Sequence, residues 1–344
     1  MKKFLKIIAV ISALAVLVCS LAGCVVVNTN PAVRVGETDL TRDEYGYYMY
    51  IQMSQTIQEA GVDVNDSAAI EAYLEEETDG KKNIEIIREK AAAEGAKLLV
   101  QYNKAVEKGI ELSEEDKTQL ASDIDSMKQQ TGGQQGYVSQ LAALGTTPEA
   151  FEALYEKNMI VSKLAEKLVE EGTMAVADGE IEEYIRTNYI KAAHILFMTQ
   201  DQQTGTPYDE ETIAQKKAQA EETLAKINNG EDFNTLMHEL SEDTGLETYP
   251  EGYEFTKGQM VPQFEEAAFA LEENAVSEIV ETSYGFHIIK RLPFEINAEK
   301  IEQYKEEAKT ACESDKLEAL TEEWTAAAEI KTFNSVMKDF GFNK

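Results

Sequence analysis

Residues 281–292 read ETSYGFHIIKRL, which puts His287 in the middle of an apolar run in a chain that has only three histidines among its 344 residues. With the preceding VSEIV, residues 276–292 have the pattern strand, turn, strand. A second histidine, His194, lies in KAAHILFM (191–198), a short apolar run bounded by polar residues and so a buried strand. Between the two, a polar loop (199–211) leads into a helix that ends near Gly230. Phe233, Leu236, Met237 and Leu240 then fall at i, i+3, i+4 and i+7, one face of a short helix. YEFT (253–256) is a strand, and VPQFEEAAFAL (261–271) is a helix with Pro262 at its start. The resulting order is β-α-α-β-α-β-β.

The flanks read differently. Residues 32–40 are extended, and Thr41 with Glu44 three residues on forms a capping box. Helical periodicity follows in AAIEAYLEEE, in 83–109, from Ser113 and from Thr147 with Pro148 at the first helical position, while TGGQQG (131–136) breaks it. Residues 33–175 are therefore mostly helix, a further helix occupies 178–189, and helix returns from 296 to 329 before a short apolar IKTFNSVMKDF.

The first residues are a different kind of segment. Lys2, Lys3 and Lys6 precede an apolar run from Ile7 to Val18, the layout of an export signal and too short for a comfortable membrane span. Residues 21–24, Leu-Ala-Gly-Cys, resemble the bacterial lipobox. The resemblance implies cleavage before Cys24, diacylglyceryl on its sulfur and a tether over 24–32. Cys19 leaves with the signal and Cys24 carries lipid. Cys312 then stands alone, and no intramolecular disulfide forms.

Composition sets the limits. The apolar fraction of 43% supports real cores, and the net charge of −32 argues against nucleic acid, whose phosphates demand basic patches. No cluster of metal-ligand spacing and no nucleophile elbow occurs, so neither a metal nor a cofactor is expected. A solute-binding lipoprotein would need βαβ alternation over two lobes, which is missing.

Residues 188–292 resemble the parvulin-type peptidyl-prolyl isomerases through AAHILF, LSED, GQMVPQFEEAAFAL and VSEIVETSYGFHIIKRL, in that order. The resemblance implies an α+β fold, a βααβαββ block inserted in a mainly helical chaperone domain made of 33–187 and 293–344. It places the family's paired core histidines on His194 and His287, and the supporting hydroxyl on Thr282. Asp243 falls where the family has a cysteine or aspartate facing the substrate amide. Met260 and Phe264 fall on the pocket for the proline ring, with Gln259 beside it. Two imidazoles sharing a proton, with a threonine hydroxyl, would satisfy each other in a dry place. TYPEGYEF departs from the family's GGDLG segment: Gly252 stands where a pocket leucine is usual, and Tyr253 next to it refills the gap. His238 has no counterpart among these positions and reads as a helix-face residue; for His194 and His287 a purely structural role in the core stands beside the functional one.

Signal, parvulin block and helical flanks together resemble the PrsA-type foldase lipoproteins, with the SurA-type chaperones as a second likeness. The resemblance implies a prolyl isomerase and foldase anchored through Cys24 on the outer face of the cell membrane. Its partners would be unfolded or newly exported polypeptides with Xaa-Pro bonds. The other reading is a non-catalytic tethered holdase with a degenerate isomerase block.

Overall fold

The computed structural model describes residues 28–202 and 204–340. The expected export signal, the expected lipidation of Cys24 and the first residues of the expected tether lie outside them. Two compact units divide the described residues, one up to residue 175 together with those from 313 onward and one of 176–312.

In the first unit, β1 (Pro31–Val35) and β2 (Thr38–Thr41) form a hairpin. Next come α1 (Arg42–Glu59), α2 (Ser67–Glu75), the small β3–β4 hairpin (Glu77–Thr78, Lys81–Lys82), α3 (Asn83–Glu107), α4 (Glu114–Gln130), α5 (Gln134–Ala143) and α6 (Pro148–Glu170). The Thr41–Glu44 capping box is present: Glu44 N donates to Thr41 Oγ1 at 3.3 Å, and Thr41 N donates to Glu44 Oε2 at 2.7 Å. Such a cap is worth about 1 kcal/mol. Here the cap is also a core ion pair, because the other oxygen of the buried Glu44 takes Lys157 from α6. Leu40, Tyr45, Ile87 and Leu99 are fully enclosed, and the Tyr45 hydroxyl is satisfied by the Arg88 carbonyl.

Two features differ from the sequence reading. TGGQQG does not end helix for long: Gly132 and Gly133 take positive φ, and α5 starts at once from Gly133, burying Tyr137 and Leu141. The closing apolar segment supplies a strand whose partner lies some three hundred residues away, invisible to local periodicity.

The second unit contains α7 (Asp178–Asn188), β5 (Tyr189–Met198), α8 (Glu210–Asn228), α9 (Phe233–Leu240), a 3₁₀ turn (Thr244–Glu247), β6 (Tyr253–Thr256), α10 (Pro262–Ala270), β7 (Val276–Thr282) and β8 (Gly285–Leu292). This is the expected β-α-α-β-α-β-β, and the fold class is the expected α+β one. The four strands form one antiparallel sheet in the order β6-β5-β8-β7. α8 and α9 supply Ala220, Phe233, Leu236 and Met237 to one cluster with Ile195 and Ile288; α10 supplies Phe264 and Ala268 to another with Ile190, Phe255 and Ile289. Alternation along the strands explains this, since successive residues face opposite sides. The unit extends beyond 188–292 at both ends because Ile181 and Ile185 of α7 bury themselves with Tyr189 and with Ala308 of α11 (Ala298–Ala327). From Glu313 the residues of α11 belong to the first unit, which ends with β9 (Ile330–Thr332), paired with β1, and α12 (Asn334–Met337).

Candidate active site

Register brings the two histidines together. In the β5–β8 ladder His194 stands opposite Ile289 and His287 opposite Leu196, so the two are diagonal neighbours on one face. Their rings lie 5.1 Å apart at 88°, edge to face. No hydrogen bond joins them. The shared proton expected from the sequence is therefore replaced by perpendicular packing, because Phe264 of α10 wedges against both rings, at 5.1 Å from His194 and 5.4 Å from His287.

His287 is 4% exposed. Its Nε2 is 2.8 Å from Thr282 Oγ1, while its Nδ1 is buried without a partner. Thr282 reaches it across the tight β7–β8 turn, where its Oγ1 also accepts Tyr284 N at 3.1 Å. Burial, and secondarily the neighbouring His194, push the His287 pKa down to about 3, against a smaller pull from Asp243, so this imidazole is neutral at ordinary pH.

Asp243 arrives by a different route. β6 covers β5 only from Tyr189 to Ala192. Beyond it, residues 241–242 dock on the uncovered edge: Leu196 N donates to Ser241 Oγ at 3.1 Å, Glu242 N to the Leu196 carbonyl at 2.9 Å, and Met198 N to Glu242 Oε2 at 2.7 Å. Asp243 then caps the 3₁₀ turn, and its Oδ2 lies 3.2 Å from His194 Nε2. That distance allows charge attraction, but the geometry is off the direction of a hydrogen bond, and both His194 nitrogens are buried without a hydrogen-bond partner. Burial disfavours the carboxylate charge; His194, the Tyr253 hydroxyl and Gly245 N–H outweigh it and hold the pKa at about 2.

Met260, half-buried, and Phe264, buried, pack with Phe255 and Tyr253 on the same side of the sheet. Gln259 is not brought to the histidines. It is exposed, its Oε1 accepts Thr256 N at 3.1 Å, and its amide nitrogen donates to Glu307 at 3.2 Å. Gly252 adopts φ +90°, and a Cβ there would sit 2.6 Å from the Ala192 carbonyl oxygen, so a leucine is sterically barred from this backbone. Tyr253 instead stacks on His194, centroids 5.7 Å apart at 18°. His238 lies on α9, away from these groups.

Residues 180–292 match the family model described as the PPIC-type PPIase domain, and residues 1–165 match the SurA-like N-terminal domain. Foldase protein PrsA of Clostridium kluyveri is 26% identical over 368 residues, covering 94% of this chain and 96% of that relative. Foldase protein PrsA of Geobacillus sp. (strain WCH70) is 30% identical over 234 residues, covering 64% of this chain and 74% of the relative. The chain belongs to the PrsA foldase family. Among solved structures, the peptidylprolyl isomerase PrsA from Bacillus cereus is 22% identical, covering 75% of this chain and 90% of its own, with a TM-score of 0.33. With its PPIC-type domain, the chain is a peptidyl-prolyl cis-trans isomerase and a foldase, and the non-catalytic alternative is not favoured. Among the described residues no helix is long and apolar enough to cross a membrane.

Proposed function

We propose that the 176–312 unit isomerises Xaa-Pro bonds in unfolded or newly exported polypeptides, with Met260 and Phe264 receiving the proline ring and His194, His287, Thr282 and Asp243 forming the polar floor. The observation that carries this reading is the pair of perpendicular, buried imidazoles 5.1 Å apart, with unpartnered nitrogens beside an apolar cluster. A prolyl bond is a tertiary amide whose two isomers are close in energy. Its barrier, about 18–20 kcal/mol, comes from amide resonance. Nothing covalent is needed. A site that binds the ring and removes water weakens solvent support for the planar, charge-separated amide, and the twisted form gains. A neutral His287 suits that role, because it adds no charge to a dry place. Uncatalysed isomerisation takes tens of seconds.

The helical unit, residues 33–187 with 293–344 in the sequence reading, would shield client segments while the bond turns over. We further propose that Cys24 carries the lipid anchor and holds the protein outside the cytoplasm; loss of lipid labelling and of membrane association in Cys24→Ser checks this. The isomerase reading is tested with an unphosphorylated Xaa-Pro peptide. Wild type is expected to accelerate exchange, and His287→Ala and Met260→Ala to lose roughly 100-fold in kcat/KM, about 2.7 kcal/mol. Equal rates for all three at the uncatalysed level would remove the enzyme claim.

A further inference from the structure

Both oxygens of Asp243 are already engaged by the protein. Oδ1 accepts Gly245 N at 3.0 Å, and Oδ2 accepts the Tyr253 hydroxyl at 2.5 Å while facing His194 Nε2 at 3.2 Å. A carboxylate so occupied is poorly placed to receive a substrate amide. The phenol that holds it is itself fixed. Its ring lies nearly parallel to His194 on one side and 5.0 Å from Tyr249 on another. Burial, then the hydrogen bond to Asp243 and the charge of that carboxylate, raise the phenol's pKa, so it remains an O–H donor. The reach depends on position 245, where a Cβ would overlap the Tyr253 hydroxyl. Three separate segments, the start of β6, the 3₁₀ turn and β5, thus converge on one carboxylate.

We infer that Tyr253 is a positioning residue of the isomerase site: its hydroxyl clamps Asp243 and its ring backs His194, so that Asp243 fixes the histidine's tautomer instead of meeting the substrate. This rests on the isomerase reading above. The carboxylate 3.2 Å from Nε2, though off the line of a hydrogen bond, favours the imidazole hydrogen on that nitrogen by charge alone, because a lone pair there would face the anion, and so leaves Nδ1 as the lone-pair nitrogen. Neither nitrogen of His194 has a hydrogen-bond partner in the protein, so the nearby carboxylate charge is what distinguishes them. A carboxylate free to rotate would select neither tautomer. The clamp therefore converts a mobile side chain into a fixed negative charge, and it explains why a tyrosine follows Gly252.

Two substitutions in the full chain test the clamp. Tyr253→Phe keeps the ring and deletes the hydroxyl. Gly245→Ala keeps Tyr253 and drives its hydroxyl off the carboxylate. Imidazole nitrogen–proton correlation spectra at pH 7, assigned with His194→Gln, report the tautomer; exchange of an unphosphorylated Xaa-Pro peptide reports kcat and KM. Wild type is expected to show the Nε2–H form of His194. Both variants are expected to show a tautomer mixture and about a tenfold lower kcat with KM within twofold. A structural role alone would lower thermal stability and leave the tautomer unchanged. The inference is overturned if Tyr253→Phe keeps the wild-type tautomer and kcat, or if its loss lies in KM alone, which would put Tyr253 on the substrate. If Gly245→Ala fails to fold, Tyr253→Phe decides alone. A wild type without acceleration would instead remove the isomerase reading, and the tautomer spectra would still judge the clamp.

Discussion

A buried carboxylate of the helical unit and the buried imidazoles of the isomerase unit are satisfied in opposite ways. In the helical unit, Glu44 is 2% exposed, yet both its oxygens are used, one on the Thr41 backbone and one on Lys157. In the isomerase unit, His287 is nearly as buried and keeps a nitrogen with no partner, and His194 keeps two. An unsatisfied buried polar atom costs roughly 1–3 kcal/mol. At Glu44 the bonds that hold the fold are completed, although the buried hydroxyls of Tyr137, Thr146 and Thr325 in the same unit have no partner; at the two histidines, where the chemistry is proposed to occur, the capacity is left open on ring nitrogens. The contrast separates a side chain that secures structure from one kept ready for a ligand.

Tryptophan fluorescence can follow one side of this contrast selectively, because the single tryptophan, Trp324, packs only in clusters of the helical unit. Glu44→Ala strands Lys157 in a largely buried place and removes the cap. It is expected to destabilise the helical unit by about 3–5 kcal/mol, read by that fluorescence in denaturant, with peptide isomerisation within twofold of wild type. A loss of isomerisation as large as the loss of stability would break the separation between the units.

Acid is expected to act mainly on the other unit. His287 has a folded pKa near 3 against about 6.5 unfolded, so between those values the unfolded chain binds the extra proton and stability falls as pH drops below about 6.5. Asp243, held near 2, contributes above about 3.9, and that contribution is lost only as pH falls further toward 2. Thermal unfolding of wild type at pH 4.5 should therefore lose about 2 kcal/mol relative to pH 7 that His287→Gln does not lose. Parallel pH profiles for the two proteins would contradict the neutral imidazole.

Gly252→Ala sharpens the comparison on a smaller scale. The positive φ and the approach to the Ala192 carbonyl predict a cost of about 1–2 kcal/mol, confined to the isomerase unit and seen in tyrosine near-ultraviolet dichroism. Gln259→Ala should do least. Its amide serves Thr256 and Glu307, and kcat/KM is expected to stay within about twofold, under 0.5 kcal/mol. A tenfold loss would return Gln259 to the site.

Much of this was legible in the sequence, and the limits have physical causes. The order of elements along the isomerase unit follows from short apolar runs and the turn before Gly285, and the helix starts at Thr41, Ser113 and Thr147 from their capping chemistry. The meeting of His194 with His287 needed a family resemblance, since periodicity cannot pair strands that far apart. α5 was hidden by its glycines, and β9 by its distance from β1. The Tyr253–Asp243 contact was out of reach because it depends on a missing Cβ at Gly245, which no local pattern encodes.

The docking of Ser241 and Glu242 along β5 has a further consequence. Where β6 stops, an edge of the sheet would otherwise be bare, a template on which any extended chain could build. A protein that handles half-made chains all its life would invite them to polymerise on such a rail. Capping it with a hydroxyl and a carboxylate closes this stretch of β5 to an incoming strand.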